Sequence, residues 1–305
     1  MRISDAGFSR MMINSMSQSY NDYAKLNQQN ITGKRTNQIS EDPVASIQMT
    51  QLDNSKSSVN QYKTNVGRLK GKLKIQEDRL TSIDNQLLSL RDKLIESKNH
   101  NNSGTPLAIL GREIGMLIEG ITDDLNAKDV DGKYLFSGTR NSTKPVEYDT
   151  ASQTYSYNGN NDSIDTVVGN GITMQGNVDL SAAFSTGSNN LEILTELRQL
   201  ANKMVDSTIA PASYNQDIST MIGAAQTVTS NMGSTVTELG ARQNRLGHLE
   251  DINEDLEIVN SQLEDDLIGI DVVAVKMELE NSLLSIKTSF STYAKISQLS
   301  LFNYI

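Results

Sequence analysis

Residues 59–94 read VNQYKTNVGRLKGKLKIQEDRLTSIDNQLLSLRDKL, and the spacing of their apolar side chains decides the fold. Steps of three and four land on Val59, Tyr62, Val66, Leu69, Leu73, Gln76, Leu80, Ile83, Leu87, Leu90 and Leu94, of which only Gln76 is strongly polar. Most residues between them are Lys, Arg, Asp, Glu, Ser, Thr, Asn or Gln. Such steps average 3.5 residues, the a/d spacing of a coiled coil, kept up over about five heptads. A helix of that length spans on the order of 50 Å at ~1.5 Å per residue and shows one narrow apolar stripe to a partner. Two heptads would suit any bundled helix; five predict a coiled-coil-like rod. Gly67 and Gly71 lie inside it, each costing ~1 kcal/mol relative to Ala. Four residues apart, they share a face, where close approach of another backbone would offset that cost.

The chain of 305 residues has no Cys, no Trp, five Phe and a hydrophobic fraction of 37%, below the globular norm. The length allows two or three domains, but the composition favours narrow helical seams over large compact cores. Without Cys there are no disulfides or thiolate metal sites. The opening MRISDAGFSRMMINSMSQSY lacks the continuous apolar core of a cleaved secretory signal. No run approaches the ~18 apolar residues of a membrane span. The net charge of −10 hides an asymmetry: residues 1–98 carry 15 Lys+Arg against 10 Asp+Glu, residues 99–189 carry 5 against 11, and residues 190–305 carry 7 against 16. A basic first third raises the question of nucleic acid. However, RLKGKLK (Arg68–Lys74) has no interleaved aromatics and lies on the seam helix itself. An acidic helix in the same chain is the simpler partner, so neither nucleic acid nor membrane is expected.

Residues 1 to about 31 predict a thin amphipathic helix with Met12, Met16, Tyr20, Tyr23 and Leu26 on one face, marginal by itself. Gly33-Lys34-Arg35 reads as its stop. Ser40-Glu41-Asp42-Pro43 then supplies a cap, acids and a first-turn proline for the long helix. After an Asn/Ser/Gly-rich loop at 99–106, a second helix follows on Leu107, Leu110, Ile114, Leu117, Ile121 and Leu125. From Asp131-Gly132 to about Asn190 the texture turns to Gly, Asn, Thr and Tyr. Alternation at Val146/Tyr148, Tyr155/Tyr157 and Ile172/Met174, with turns such as Asn158-Gly159, predicts short strands in a small β-rich insert. Helix resumes over Leu191–Met204, breaks near Pro211, and runs from Tyr214 through Ile218, Met221, Ala225, Val228, Met232, Val236 and Leu239, with a joint expected at Gly240. Ile252, Leu256, Val259 and Leu263 continue that seam, and EDINEDLE (Glu250–Glu257) is the acidic counterpart of RLKGKLK. Antiparallel pairing of the two long helices predicts facing residues whose numbers total about 320. Leu279, Leu283, Ile286, Phe290 and Tyr293 form a last seam, suited to the N-terminal helix.

The expected fold is mainly α: a long antiparallel helical rod built from both chain ends, with a small β domain inserted mid-chain. Its divisions are residues 1–40 with 272–305, then 41–131 with 190–271, then the insert at 132–189.

No catalytic chemistry emerges. His100 and His248 are the only histidines, and the paired model leaves them no shared site. No HExxH or thiolate set is present. Gly169-Asn170-Gly171 lacks the rest of a phosphate loop and reads as a turn. Asp129, Asp131 and Gly132 begin an EF-hand pattern that fails at its later ligands. No nucleophile elbow surrounds any Ser, and the acidic runs near Asp251 and Asp265 read as solvated helix faces. Neither enzyme, metal nor cofactor is expected.

Paired terminal helices, an exposed β insert and the absence of Cys resemble the flagellin superfamily. Within it, Ile31-Thr32-Gly33-Lys34-Arg35 followed by Ser40-Glu41-Asp42-Pro43-Val44-Ala45 is similar to the "SGKR…SDDPVA" signature of the hook-associated protein 3, or hook–filament junction, family. The "SGLRIN…DDAAG" form of a filament flagellin is missing, and Thr32 stands where Ser is usual. Asp131–Thr139 (DGKYLFSGT) resembles that family's lead-in to its β domain; Ala241–Leu246 (ARQNRL) its "GARxNRL" segment; Ala294–Ile305 (AKISQLSLFNYI) its terminal "AKxSQLSLFDYL". The motif positions carried over are Gly33, Lys34, Arg35, Asp42, Pro43, Arg242, Asn244 and Arg245.

The resemblance covers residues 1–140 and 190–305, while 141–189 matches in texture alone. It implies a structural subunit of the bacterial flagellum, exported through the flagellar type III channel and placed outside the cell between hook and filament. Implied partners are the first hook-associated protein, flagellin, copies of itself in a ring, and a cytoplasmic export chaperone on the C-terminal helix. The outer helical divisions would then be D0-like and D1-like and the insert D2-like. Met12, Met16, Tyr20, Tyr23, Leu279, Leu283, Ile286, Phe290, Tyr293, Leu299, Leu301 and Phe302 would pack in the terminal helices and the assembly. A minor flagellin is the nearest alternative reading; an adhesin or tip-type binding protein is a further one.

Overall fold

The computed structural model describes residues 5–99, 104–184 and 191–302. His100 and the C-terminal end beyond 302 lie outside them. The chain divides into two compact units: a terminal unit of Met1–Val59 with Asp255–Ile305, and a central unit of Asn60–Glu254.

In the central unit, the helix α2 (Pro43–Asn99) presents the stripe expected of it. Val66, Leu69, Leu73, Leu80, Ile83, Leu87, Leu90 and Leu94 are all buried. Its antiparallel partner is α6 (Asn215–Ile268), which buries Ile218, Met221, Ala225, Val228, Met232, Leu239, Leu246 and Leu249. Lys70 pairs with Glu250 at 2.7 Å and Gln243 donates to Glu77 at 3.0 Å; both pairs total 320, the register expected. Lys70 thereby ties RLKGKLK to EDINEDLE. No joint exists at Gly240, because α6 runs through it. Nor does another backbone approach Gly67 or Gly71: a Cβ added at either meets nothing within 4 Å. Their cost is not offset within the chain.

Helices α3 (Gly104–Leu125) and α5 (Glu192–Val205) complete the helical core. They cross closely at Gly111, where an added Cβ would lie 2.9 Å from both the Ala201 carbonyl oxygen and Met204 Cβ. Ile118 takes the inward position beside the half-buried Leu117. Between these helices come two antiparallel hairpins and the short helix α4 (Leu180–Phe184). Strands β1 (Val146–Asp149) and β2 (Thr154–Tyr157) pair with Tyr148 opposite Tyr155. Strands β3 (Asp165–Gly169) and β4 (Ile172–Gln175) turn through Asn170-Gly171, with Gly171 at φ +68°. The insert has no separate core: Leu135, Phe136, Val146, Val168, Met174 and Phe184 join the same buried cluster as the helices.

Gln76, the polar break in the stripe, is fully buried. Its Nε2 donates to the Leu135 carbonyl at 3.2 Å, so it ties α2 to the lead-in segment of the insert. That segment turns at Gly132 (φ +75°), with Asp129 Oδ1 accepting from the Asp131 and Lys133 amides at 3.0 and 2.9 Å. The partial EF-hand pattern is thus a turn cap. Gly138 (φ +64°) lies against Asn160, where a Cβ would come within 2.1 Å of the carbonyl oxygen. Asn126 and Asn177 act as substitute strand edges. The Asn126 side chain accepts from the Val146 amide and donates to its carbonyl, each at 3.0 Å. Asn177 accepts from the Ile164 amide at 2.8 Å and donates to Asp162 at 2.9 Å.

Candidate assembly surfaces

The terminal unit brings the two chain ends together. Helix α1 (Asp5–Thr32) packs against α7 (Val272–Phe302). Met12, Met16, Tyr23 and Leu26 are half-buried on α1, as are Leu279 and Tyr293 on α7, and Ile286 is buried. Three residues from the sequence reading point outward instead: Tyr20 (54% exposed), Leu283 (37%) and Phe290 (61%). The positions taken in their stead are serines. Ser282 Oγ donates to the Ser19 carbonyl at 3.5 Å, and Ser9 Oγ lies 3.3 Å from the Tyr293 hydroxyl. The side chains of Leu299, Leu301 and Phe302 lie outside the described residues.

The motif TGKR…SEDPVA builds a clasp. Gly33, at φ +69°, ends α1 with its N–H on the Gln29 carbonyl at 2.8 Å, using the left-handed backbone glycine adopts without a Cβ penalty. The next residues pair across to the joint between α6 and α7: Lys34 bridges Gly269, and the Arg35 amide donates to the Ile268 carbonyl at 2.6 Å. The Arg35 guanidinium reaches Asp42 at 3.1 Å and the Leu267 carbonyl at 3.3 Å. Asp42 does double duty, its other oxygen accepting the Ala45 amide at 3.0 Å and capping α2, which begins at Pro43. Glu264 receives Lys34 at 3.5 Å and also pairs with Lys56, whose number with Glu264 again totals 320.

One acid missing from the sequence reading, Glu264, joins the motif's own Glu41 and Asp42 at this joint. The Lys56 hydrogen bond, above all, holds Glu264 below the usual carboxylate range. The Ala45 amide, then Arg35, does the same for Asp42, and the Asn37 amide, then Lys25, for Glu41. The signal for Glu264 was available: it sits opposite Lys56 in the predicted register.

In the central unit, Arg242 does what the resemblance leaves unsaid. Its guanidinium donates to the Asn177 carbonyl at 3.0 Å, to Gln175 at 3.1 Å and to Glu238 at 2.5 Å, fastening α6 to the end of β4. Asn244 and Arg245 are exposed one helical turn away. Among the described residues no group of three or more His, Asp or Glu gathers to hold a metal ion, and no helix is long and apolar enough to cross a membrane.

Such an arrangement, with α1 and α7 paired and a β insert between them in sequence, resembles that of flagellin-like proteins. The family model for the bacterial flagellin N-terminal helical region matches residues 3–141. Flagellar hook-associated protein 3 of Escherichia coli (strain K12) is 21% identical over 327 residues, 99% of each chain. The protein of the same name from Salmonella typhimurium is 22% identical over 321 residues, again 99% of each. Among solved structures, one assigned as a flagellar hook-associated protein from Vibrio parahaemolyticus superposes with a TM-score of 0.68 at 25% identity, covering 75% of this chain and 100% of that one. Hook-associated protein 3 from Legionella pneumophila shares the fold, with a TM-score of 0.64 at 15% identity over 72% of this chain and 98% of its own. Along its whole length the chain is thus similar to hook-associated protein 3 relatives.

Proposed function

We propose that this chain is the structural subunit that joins hook to filament in the bacterial flagellum, required for filament assembly and motility. The observation that carries the reading is the end-to-end match, 99% of both chains, to hook-associated protein 3 relatives. The clasp and paired ends supply the physical counterpart. The seam between α1 and α7 is thin, and apolar side chains such as Met11, Ile13, Leu284 and Phe290 stand exposed at 55–64%. Ordering such helices costs conformational entropy that a thin seam barely offsets, and packing among neighbours supplies the missing burial.

On this reading the first hook-associated protein lies on one side and flagellin on the other, with copies of the chain in a ring. The subunit is exported unfolded through the flagellar channel, attended in the cytoplasm by a chaperone on the C-terminal helix, and works outside the cell. Residues 1–40 with 272–305 serve as the D0-like core, 41–131 with 190–271 as the D1-like wall, and 132–189 as the outer insert. A deletion strain tests this by swimming assay, electron microscopy and flagellin in the medium. Hooks without filaments, and monomeric flagellin leaking out, are expected. Normal filaments would sink the junction role and favour a minor flagellin or a tip protein.

A further inference from the structure

The sequence contains two Asn-Gly steps, Asn158-Gly159 and Asn170-Gly171, and the fold treats them in opposite ways. The first is held on every side. The Asn158 amide donates to the Pro145 carbonyl at 2.8 Å, and its side-chain Nδ2 donates to Glu147 Oε2 at 3.2 Å. A Cβ added at Gly159 would lie 2.5 Å from the Tyr157 ring and 3.0 Å from the Ser137 Cα. Tyr157 is itself fixed, its hydroxyl donating to the Phe136 carbonyl at 2.9 Å. Asn170 and Gly171 instead form the exposed tip of the β3–β4 hairpin. Among the described residues the Asn170 side chain has no hydrogen-bond partner, and a Cβ added at Gly171 meets nothing within 4 Å. Behind this bare tip the hairpin is anchored. Asn65 Nδ2 donates to the Val167 carbonyl at 2.8 Å, and Arg242 holds Gln175 and the Asn177 carbonyl.

We propose that Asn170-Gly171 is a self-modifying site, at which the folded chain converts Asn170 to aspartate and isoaspartate with water as co-reactant. The Gly171 backbone nitrogen loses its proton to solvent base and attacks Asn170 Cγ. A cyclic succinimide forms as the Cγ–Nδ2 bond breaks, and ammonia leaves after taking a proton from solvent. Water then opens the ring. Attack at Cγ gives aspartate; attack at the main-chain carbonyl of residue 170 gives isoaspartate, with the chain now running through Cγ. Glycine suits the closure because it has no Cβ to crowd the ring and its backbone reorients freely. The tip has no packing to lose in that movement. Asn158 would first have to give up a charged acceptor and the contact with the Tyr157 ring. Either product sets a new carboxylate at the tip, and isoaspartate also lengthens the main chain there by a carbon. The anchors at Asn65 and Arg242 confine the change to the tip, so the helical core keeps its packing. The chemistry is independent of the junction role.

The full chain, aged in mildly alkaline buffer made with heavy-oxygen water and then digested at low pH for mass spectrometry, reads both steps at once. Conversion at Asn170 is expected to run about tenfold or more ahead of Asn158, the factor that breaking the Glu147 hydrogen bond imposes. The product peptide should carry a heavy oxygen and separate by chromatography into aspartate and isoaspartate forms. Its rate should rise with pH, because the Gly171 nitrogen must lose its proton. In denaturant the rates at the two steps should draw together. Glu147→Ala should speed conversion at Asn158 and leave that at Asn170 unchanged, while Asn170→Gln should end modification at the tip without moving the melting midpoint. Equal rates at the two steps in the folded chain would overturn the proposal. So would an Asn170 that stays intact while the denatured chain converts, or a product that holds aspartate and no isoaspartate.

Discussion

Consider the double variant Gly67→Ala, Gly71→Ala. Both residues are exposed in the middle of α2, and a Cβ added at either meets no atom within 4 Å. The substitution therefore changes helix propensity and little else, and each should stabilise by ~1 kcal/mol. Together they give about 2 kcal/mol, which for a unit of this size raises the melting midpoint by roughly 4–8 °C. Gly111→Ala is the matched control. Its Cβ would lie 2.9 Å from the Ala201 carbonyl oxygen and from Met204 Cβ, so α3 and α5 must part, at a cost of ~1–3 kcal/mol. Thermal melts of the full chain followed by circular dichroism should show opposite shifts for the two variants. An unchanged or lowered midpoint in the double variant would refute the reasoning, since it would mean that the face of α2 carrying these glycines is occupied in the free subunit.

Two further outcomes follow from the terminal unit. Phe290 is 61% exposed in the free chain, so Phe290→Asp should leave its melting within ~0.5 kcal/mol while abolishing incorporation into flagella; normal motility and incorporation would count against an assembly role for α7. The carboxyls of Glu41, Asp42 and Glu264 are all held below their ordinary values of 4.5, 3.8 and 4.5. A depressed group stabilises the fold above its unfolded value and loses that contribution as pH falls through its folded one, so the clasp should loosen below about pH 4. Pepsin cleavage within residues 33–42 should rise steeply as pH falls from about 5 to about 3, and a flat profile would speak against the clasp.

The long stripe of α2 was legible because one rule, an apolar residue every three or four positions, held without exception but for Gln76. The antiparallel register was legible because charge is distributed unevenly along the chain. Polar seams were not. Periodicity selects the largest apolar residue near each expected position, so it selects Leu283 and Phe290 over Ser282 and Ser289, and Leu256 and Val259 over Asn260. In a thin two-helix seam, serines and asparagine allow close approach and find partners of their own, as Ser282 does with Ser19. The strand β3 escaped notice for a related reason: Asp165-Thr166-Val167-Val168-Gly169 alternates weakly and is interrupted by an irregularity before Gly169. Glycine misled in the opposite sense. Gly240 suggested a joint, but a single helical glycine costs only ~1 kcal/mol, which the rest of a 54-residue helix absorbs.

The pairing of α1 with α7 has a consequence in time. These helices are far apart in sequence, so nothing that depends on both can form until the residues between them have been made. A chain emerging from one end must carry its leading helix without that partner. The central unit is under no such constraint: it needs only residues 60–254, and its helices α2 and α6 draw the flanking segments together as they pair. Closing the terminal unit afterwards bridges a short gap instead of a loop of some two hundred residues, so most of the closure entropy has already been met. The expected order of folding therefore runs from the central unit outward, with the pairing of α1 and α7 the last to set.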